Sequence, residues 1–366
     1  MYCVIVGDMV NSREMTQDER ANAGIIADEV FGRINSEFQR YLLSGFELSS
    51  GDSFEAVLLA HYIAPQLIQR IIKELYPVTR LRIGVALGDL YTFGSNFQDV
   101  NAMDGPAFHE AADIINHLKK SKSNHWLQFS ISSGKNAQPL VQAVISMLCS
   151  MTKRWTDRQR QVIWDYERLN KDIGLLSKEK GISNAAIHKH LKAADYIVYR
   201  NAWIALEDYL ANIETADLSS TTEIGYLAYF NLACHNFDAG KYLLAEEFIK
   251  KSLELAKDQY GSDSPLLIPI LNIFAEILCK DSRFSEAIDF LQQALLIQNA
   301  LPLGRDSNLY TLYLLGIAQY MEGFHEFAQD TMQKGKAIEV TWRGTKPAVT
   351  IFHDDIFTNL DRGILS

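Results

Sequence analysis

The chain is poor in the features that mark secreted, metal-clustered or membrane-spanning proteins. Only four cysteines occur in 366 residues: Cys3, Cys149, Cys234 and Cys279. None forms a CxxC pair and none has a histidine at ligand spacing. That excludes a disulfide framework or a zinc ribbon and fits reduced thiols in a core. No apolar run is long enough to span a bilayer. The opening run Tyr2–Val6 is too short for a signal peptide and has no basic leader, so a cytoplasmic protein with no membrane partner is expected. Net positive charge is missing as well. A formal charge of −10 excludes a protein coated in nucleic acid along its length, but it allows one local basic face.

What is present is enough apolar sequence, 48% against 22% charged, to build real cores. The length points to two or three domains. Residues 2–6 read as a strand, followed by a loop from Gly7 to Arg13. Thr16 with Glu19 three residues on is a capping box opening a helix, with Ile26, Val30, Ile34 and Phe38 as its inner stripe. Phe46–Ser50 and Phe54–Leu59 read as strands around a tight Gly51-Asp52 hairpin. A helix through Leu67 and Ile71, a strand over Leu81–Leu90, a helix after Pro106, a strand over His125–Ile131 and a closing helix over Pro139–Ser150 follow. This order predicts an α/β, ferredoxin-like, palm-type head. In that topology the second hairpin strand runs antiparallel beside the first, so Asp8 and Asp52 are expected at one sheet edge. Paired carboxylates suit a hard cation such as Mg²⁺, with phosphate oxygens and water completing its shell. Each aspartate alone also reads as a turn residue beside a glycine.

The segments Gly7-Asp8-Met9-Val10-Asn11-Ser12-Arg13, Ser50-Gly51-Asp52-Ser53-Phe54, Arg82-Ile83-Gly84-Val85-Ala86-Leu87-Gly88 and Asp104-Gly105-Pro106-Ala107-Phe108 carry a resemblance. Together they resemble the SatD-like family and, more distantly, the class III nucleotide cyclase domain, over residues 1 to about 135. The resemblance implies that Asp8, the Met9 carbonyl and Asp52 hold a metal, with Asn11, Ser12 and Arg13 approaching the phosphates of a nucleotide at the helix start. It also exposes a departure. His109 stands where a cyclase keeps its transition-state asparagine and Asp113 where it keeps its arginine. A carboxylate cannot stabilise negative charge developing on a triphosphate, so cyclase turnover is not expected.

Residues 151–200 hold eleven Lys/Arg against six Asp/Glu, a net of +5 in an acidic chain. Thr156 caps one helix, Ile173–Lys180 reads as a second ending at Gly181, and Ser183 caps a third. The Gly-Ile-Ser turn, with Ile173, Leu176, Ile187 and Leu191 inward, has helix-turn-helix spacing. It resembles the DNA-binding helices of sigma factors and response regulators. That resemblance implies DNA contact by the outward set Asn184, Ala185, His188, Lys189 and Lys192. The plainer alternative is a helical adaptor between two domains.

The tail repeats at about 42 residues. Ala233, Ala275 and Gly316 each precede a second alanine, Ala245, Ala287 and Ala328, by twelve positions. Small residues there allow close helix pairs, and an aromatic between them is expected to cap each turn. The pattern resembles tetratricopeptide repeats over Thr222–Glu339, an α-solenoid offering a surface to a protein or peptide, or a platform for a homodimer. The expected organisation is therefore a head over 1–150, a helix-turn-helix unit over 151–213, repeats over 214–341 and an extension over 342–366. The leading expectation is a cytoplasmic regulator that senses a metal or nucleotide, reads DNA and binds a protein. A nucleotide-processing enzyme at Asp8 and Asp52 and a non-catalytic scaffold are the alternatives.

Overall fold

Strand β1 (Tyr2–Met9) is buried along almost its whole length because helices cover both faces of the sheet it centres. The computed structural model describes residues 1–10, 12, 14–49, 52–76, 78–92, 100, 103–121, 125–131, 138–216, 225–300 and 309–343. Helix α1 (Gln17–Glu37) starts at the Thr16–Glu19 capping box, with both reciprocal bonds formed. Strands β2 (Leu42–Leu48) and β3 (Ser53–Leu58), helix α2 (Ala64–Leu75) and strand β4 (Leu81–Gly88) follow. A short ribbon, β5 (Tyr91–Thr92) with β6 (Met103–Asp104), leads into α3 (Pro106–Lys120), β7 (Leu127–Ile131) and α4 (Gln138–Arg154).

The sheet order is β2-β3-β1-β4-β7, with β1 antiparallel to both β3 and β4 and β7 parallel to β4. The first four strands have the ferredoxin-like arrangement, and Asp8 pairs in register with Ser53, one residue from Asp52. Strand β2 begins earlier than its sequence pattern suggests, because register shifts keep Leu42 opposite Leu58. Val4, Val6 and Ala86 pack beneath α3, while Cys3, Ile5 and Val85 face α1, α2 and α4. Gly84 lets α3 lie close to the sheet, since a Cβ there would stand 2.7 Å from the Ala111 carbonyl oxygen.

Helices α5 (Asp157–Arg168), α6 (Ile173–Lys180), α7 (Asn184–Ala193) and α8 (Tyr196–Ala216) form the middle. Thr156, Asp172 and Ser183 cap the first three with their side chains. Gly181 stops α6 in the left-handed region at φ 62°, a conformation glycine adopts at no steric cost.

The tail is three antiparallel pairs: α9 (Tyr226–Asp238) with α10 (Tyr242–Tyr260), α11 (Leu267–Lys280) with α12 (Phe284–Ala300), and α13 (Leu309–Met321) with α14 (His325–Arg343). Each turn repeats one hydrogen-bond pattern. The amides of Lys241, Arg283 and Phe324 donate to the carbonyls of Asn236, Leu278 and Gln319. Left-handed residues Gly240, Ser282 and Gly323 sit just before those donors. This is the Schellman arrangement, and it explains why glycine recurs there. Ser282, at φ 59°, is the one of the three that bears the Cβ cost. Ser282→Gly is expected to stabilise the chain by up to about 1 kcal/mol, read as a higher midpoint in urea.

Ala233, Ala245, Ala275, Ala287 and Ala328 are fully buried, and a Cβ on Gly316 would press on Met332 at 2.9 Å. Leucine at Ala245, Ala287 or Ala328 is expected to overpack its helix pair at a cost of about 1–3 kcal/mol each. Three leucine variants that melt like the parent would refute this register. The turn aromatics cap less than their spacing suggests: Tyr242, the first residue of α10, and Phe324, just before α14, are half-exposed.

The head packs on the tail, and one apolar core runs from β1 to α13. Asp238 accepts hydrogen bonds from the hydroxyls of Tyr41 (2.8 Å) and Tyr62 (2.7 Å). Asn231 receives the His61 amide at 3.0 Å and donates to the Leu59 carbonyl at 2.9 Å. Arg40 reaches Glu276 at 3.0 Å. The thiols of Cys3, Cys149 and Cys234 are buried and free, and burial raises all four thiols above their ordinary range, Cys279 to about 12. They are core residues and poor nucleophiles. No helix among the described residues is long and apolar enough to cross a membrane.

Candidate functional site

Asp8 is the penultimate residue of β1, within its buried stretch, and its side chain is 4% exposed. A carboxylate that deep needs compensation, and two cations supply it. Arg82, its register partner on β4, lies 3.1 Å from one oxygen, and Lys119, in the last turn of α3, lies 2.7 Å from the other. Asp52 meets this edge from the hairpin. Its carboxylate accepts the Ser12 hydroxyl, and its carbonyl accepts the Met9 amide at 3.0 Å. The Ser12 carbonyl is clamped from α1 by two guanidinium nitrogens of Arg20, at 2.7 and 3.1 Å.

The expected residues thus gather, with partners that the motifs did not announce. Asp8, Met9, Ser12 and Asp52 share one edge, while Asn11 and Arg13 lie outside the described residues. Both Asp8 oxygens are engaged by cationic side chains, so a divalent ion there would compete with, and be repelled by, Arg82 and Lys119. Among the described residues no group of three or more His, Cys, Asp or Glu forms a ligand cluster. His109 and Asp113 are on α3 but away from this edge. His109 stands ten residues before Lys119, about 15 Å along a helix. Its Nε2 lies 2.8 Å from an Asp104 carboxylate oxygen near the β5–β6 ribbon.

On α7 the outward set separates from the packed set. Ile187 is fully buried and Leu191 nearly so, whereas Asn184, Ala185, His188, Lys189 and Lys192 are all exposed. Leu176 is fully buried opposite them, and Ile173 is half-buried. Part of the local basic excess is spent nearby. Arg168 and Lys180 both pair with Asp165, at 3.1 and 2.8 Å. Arg160 stacks over Tyr76, 4.4 Å from the ring centre, and donates to the Thr152 carbonyl at 2.8 Å. Lys189 and Lys192 make no ion pair among the described residues.

The sequence motifs also missed a cavity of about 450 Å³ between the Arg82–Lys119 side of the head and helices α4, α5 and α8. Its lining includes Arg80, Arg82, Lys119, Lys153 and Arg160. These residues are scattered over more than eighty positions, and only the alternation Arg80-Leu81-Arg82 at the start of β4 hints that two of them share a face.

A ferredoxin-like sheet continued by short helices and by antiparallel helix pairs defines a protein with an α/β head and a helical repeat tail. The chain belongs to the SatD family, which matches residues 2–208, across both the head and the middle helices. A tetratricopeptide repeat family matches residues 226–299, the first two helix pairs of the tail. No curated protein matches the chain.

Proposed function

We propose that this chain is a regulator that reads DNA through α7 and takes a protein partner on its repeat tail. The observation that carries the reading is the division of α7 into a buried face, Ile187 and Leu191, and an exposed face bearing Asn184, His188, Lys189 and Lys192. A helix held from behind and capped by Ser183 presents its first turns outward, as a helix entering the major groove does. The acidic remainder repels the duplex, so a dimer on two half-sites is the favoured reader. Tetratricopeptide repeats support a protein or peptide partner for the tail. The experiment is selection of the full chain and the 151–210 segment against a random-sequence DNA pool at low salt. An enriched sequence with salt-dependent affinity supports the regulator. No enrichment and no salt dependence would leave α7 an adaptor and the chain a scaffold.

The convergence of Asp8 and Asp52 favours a second reading, a Mg²⁺-linked nucleotide site at that edge. Asp52→Asn tests it most cleanly, because the amide preserves size and can still accept from Ser12. Mg²⁺ with ATP or GTP is expected to raise the melting temperature of the parent, and the variant is expected to lose most of that rise. If the parent shows no Mg²⁺-dependent rise with any common nucleotide, this second reading fails.

A further inference from the structure

The cavity behind Asp8 carries more positive charge than its surroundings neutralise. Among the described residues five cations line it, Arg80, Arg82, Lys119, Lys153 and Arg160, and the His125 ring lies on the same wall. Among the described residues the lining has one carboxylate, Asp157, and one of its oxygens accepts the Tyr76 hydroxyl at 2.9 Å. Arg82 and Lys119 also share Asp8 outside the lining. Setting Asp157 and Asp8 against the five cations leaves three positive charges uncompensated. Arg80 and Lys153 make no ion pair among the described residues. The Arg160 Nε–H is buried and finds no acceptor among the described residues. Like charges facing one concave space repel, and an anion of two or more charges relieves that cost.

Part of the remaining wall is aromatic, beside aliphatic and small polar side chains such as Ile72, Leu118 and Gln69. Tyr76 and Trp164 meet edge to face at 5.2 Å, and Trp126 and Trp155 line the cavity as well. The indole N–H groups of Trp126 and Trp155 are already spent, on the Thr152 hydroxyl at 3.0 Å and the Ala194 carbonyl at 2.9 Å. Because Arg160 lies over the rings of Tyr76, Trp155 and Trp164 at 4.4, 5.7 and 5.8 Å, the planar surface offered to a ligand is a guanidinium–aromatic layer. A volume of about 450 Å³ falls within the range of small-ligand sites, about 300–1,000 Å³. Cations recognise phosphate, and indole and phenol rings stack on a planar heterocycle.

We infer that this cavity binds a nucleoside phosphate without a metal ion, its phosphates held by the Arg and Lys groups and its base against the aromatic wall. The site is separate from any cation held by Asp8 and Asp52, because side chains supply its positive charge. It nonetheless touches that edge: a bound phosphate competes with Asp8 for Arg82 and Lys119. It also touches the middle helices, since α5 and α8, beside α4 of the head, form its other wall. Occupancy would therefore be felt both at the sheet edge and at the helices that support α7.

The test is titration of the full chain with ATP and GTP in EDTA, with pyrophosphate and the free nucleosides as probes of each half of the ligand. At least one nucleotide is expected to bind more tightly than pyrophosphate and than its own nucleoside. Arg80→Glu and Lys153→Glu are expected to weaken that binding by about tenfold or more each. Both side chains are exposed and unpaired among the described residues, so the ligand-free variants should melt no lower than the parent. EDTA removes the ion that the aspartate reading needs, so binding here and a Mg²⁺-dependent effect there are scored separately. The inference is overturned if neither nucleotide binds in EDTA, if pyrophosphate binds as well as the nucleotides, or if both charge reversals leave affinity unchanged. Binding confined to single-stranded oligonucleotides would also overturn it.

Discussion

Replacing Arg40 with alanine is expected to lower the stability of the chain by about 3–5 kcal/mol, the usual cost of leaving a buried charge without its partner. Arg40 belongs to the turn after α1, and its guanidinium lies against the rings of Tyr41 and Phe237 and 3.0 Å from the Glu276 carboxylate on α11. Glu276 is 9% exposed and accepts the Tyr310 hydroxyl as well. Burial holds its carboxyl above the ordinary carboxylate range, while Arg40 and the Tyr310 hydrogen bond pull it back down. The folded state therefore keeps this proton at pH values where the unfolded chain has lost it. Its contribution to stability is largest at acid pH and falls as pH rises through the window above the ordinary glutamate value of about 4.3. Without Arg40 the downward pull is gone and that window extends upward. The deficit of the variant should be smallest at acid pH and grow towards neutrality. Urea unfolding of parent and variant across that range measures it. Replacing both partners, Arg40→Met with Glu276→Gln, should recover much of the loss, since neither side chain is then a buried charge. A single variant within about 1 kcal/mol of the parent at neutral pH would mean that the head does not depend on this contact.

Charge reversal at Lys189 and Lys192 is expected to weaken DNA binding for every sequence, with the salt dependence falling by about one unit of slope per lost phosphate contact. Asn184→Ala should act differently. An asparagine at a base edge discriminates by about 1–3 kcal/mol, so its loss relaxes sequence preference and leaves the salt slope unchanged. The fold makes this contrast readable. All three residues are exposed, while Ile187 and Leu191 hold α7 in place, so the variants should melt like the parent. Anisotropy titrations at several salt concentrations, with selected and scrambled duplexes, separate the two effects. If the double reversal changes neither affinity nor slope, α7 is not the contact surface.

The division between what sequence and structure each decided follows the range of the interactions. Thr16 with Glu19, Thr156 with Gln159, Ser183, and Gly181 all act through hydrogen bonds within five residues, so helix ends were legible from the chain alone. The twelve-residue spacing from Ala233 to Ala245, and its two repeats, is equally local: two helices and one Schellman turn fix it. The meeting of Asp8 with Asp52 was also foreseeable, because strand order alone brings a hairpin beside the first strand. The partners of those aspartates were not. Lys119 reaches Asp8 only because Gly84 admits α3 close to the sheet, and no spacing in the chain announces that approach. The cationic cavity and the burial of Arg40 against Glu276 arise likewise from elements brought together by packing. Apolar burial, which is non-directional, brings such elements together, and the charges they carry must then find partners in the finished tertiary structure.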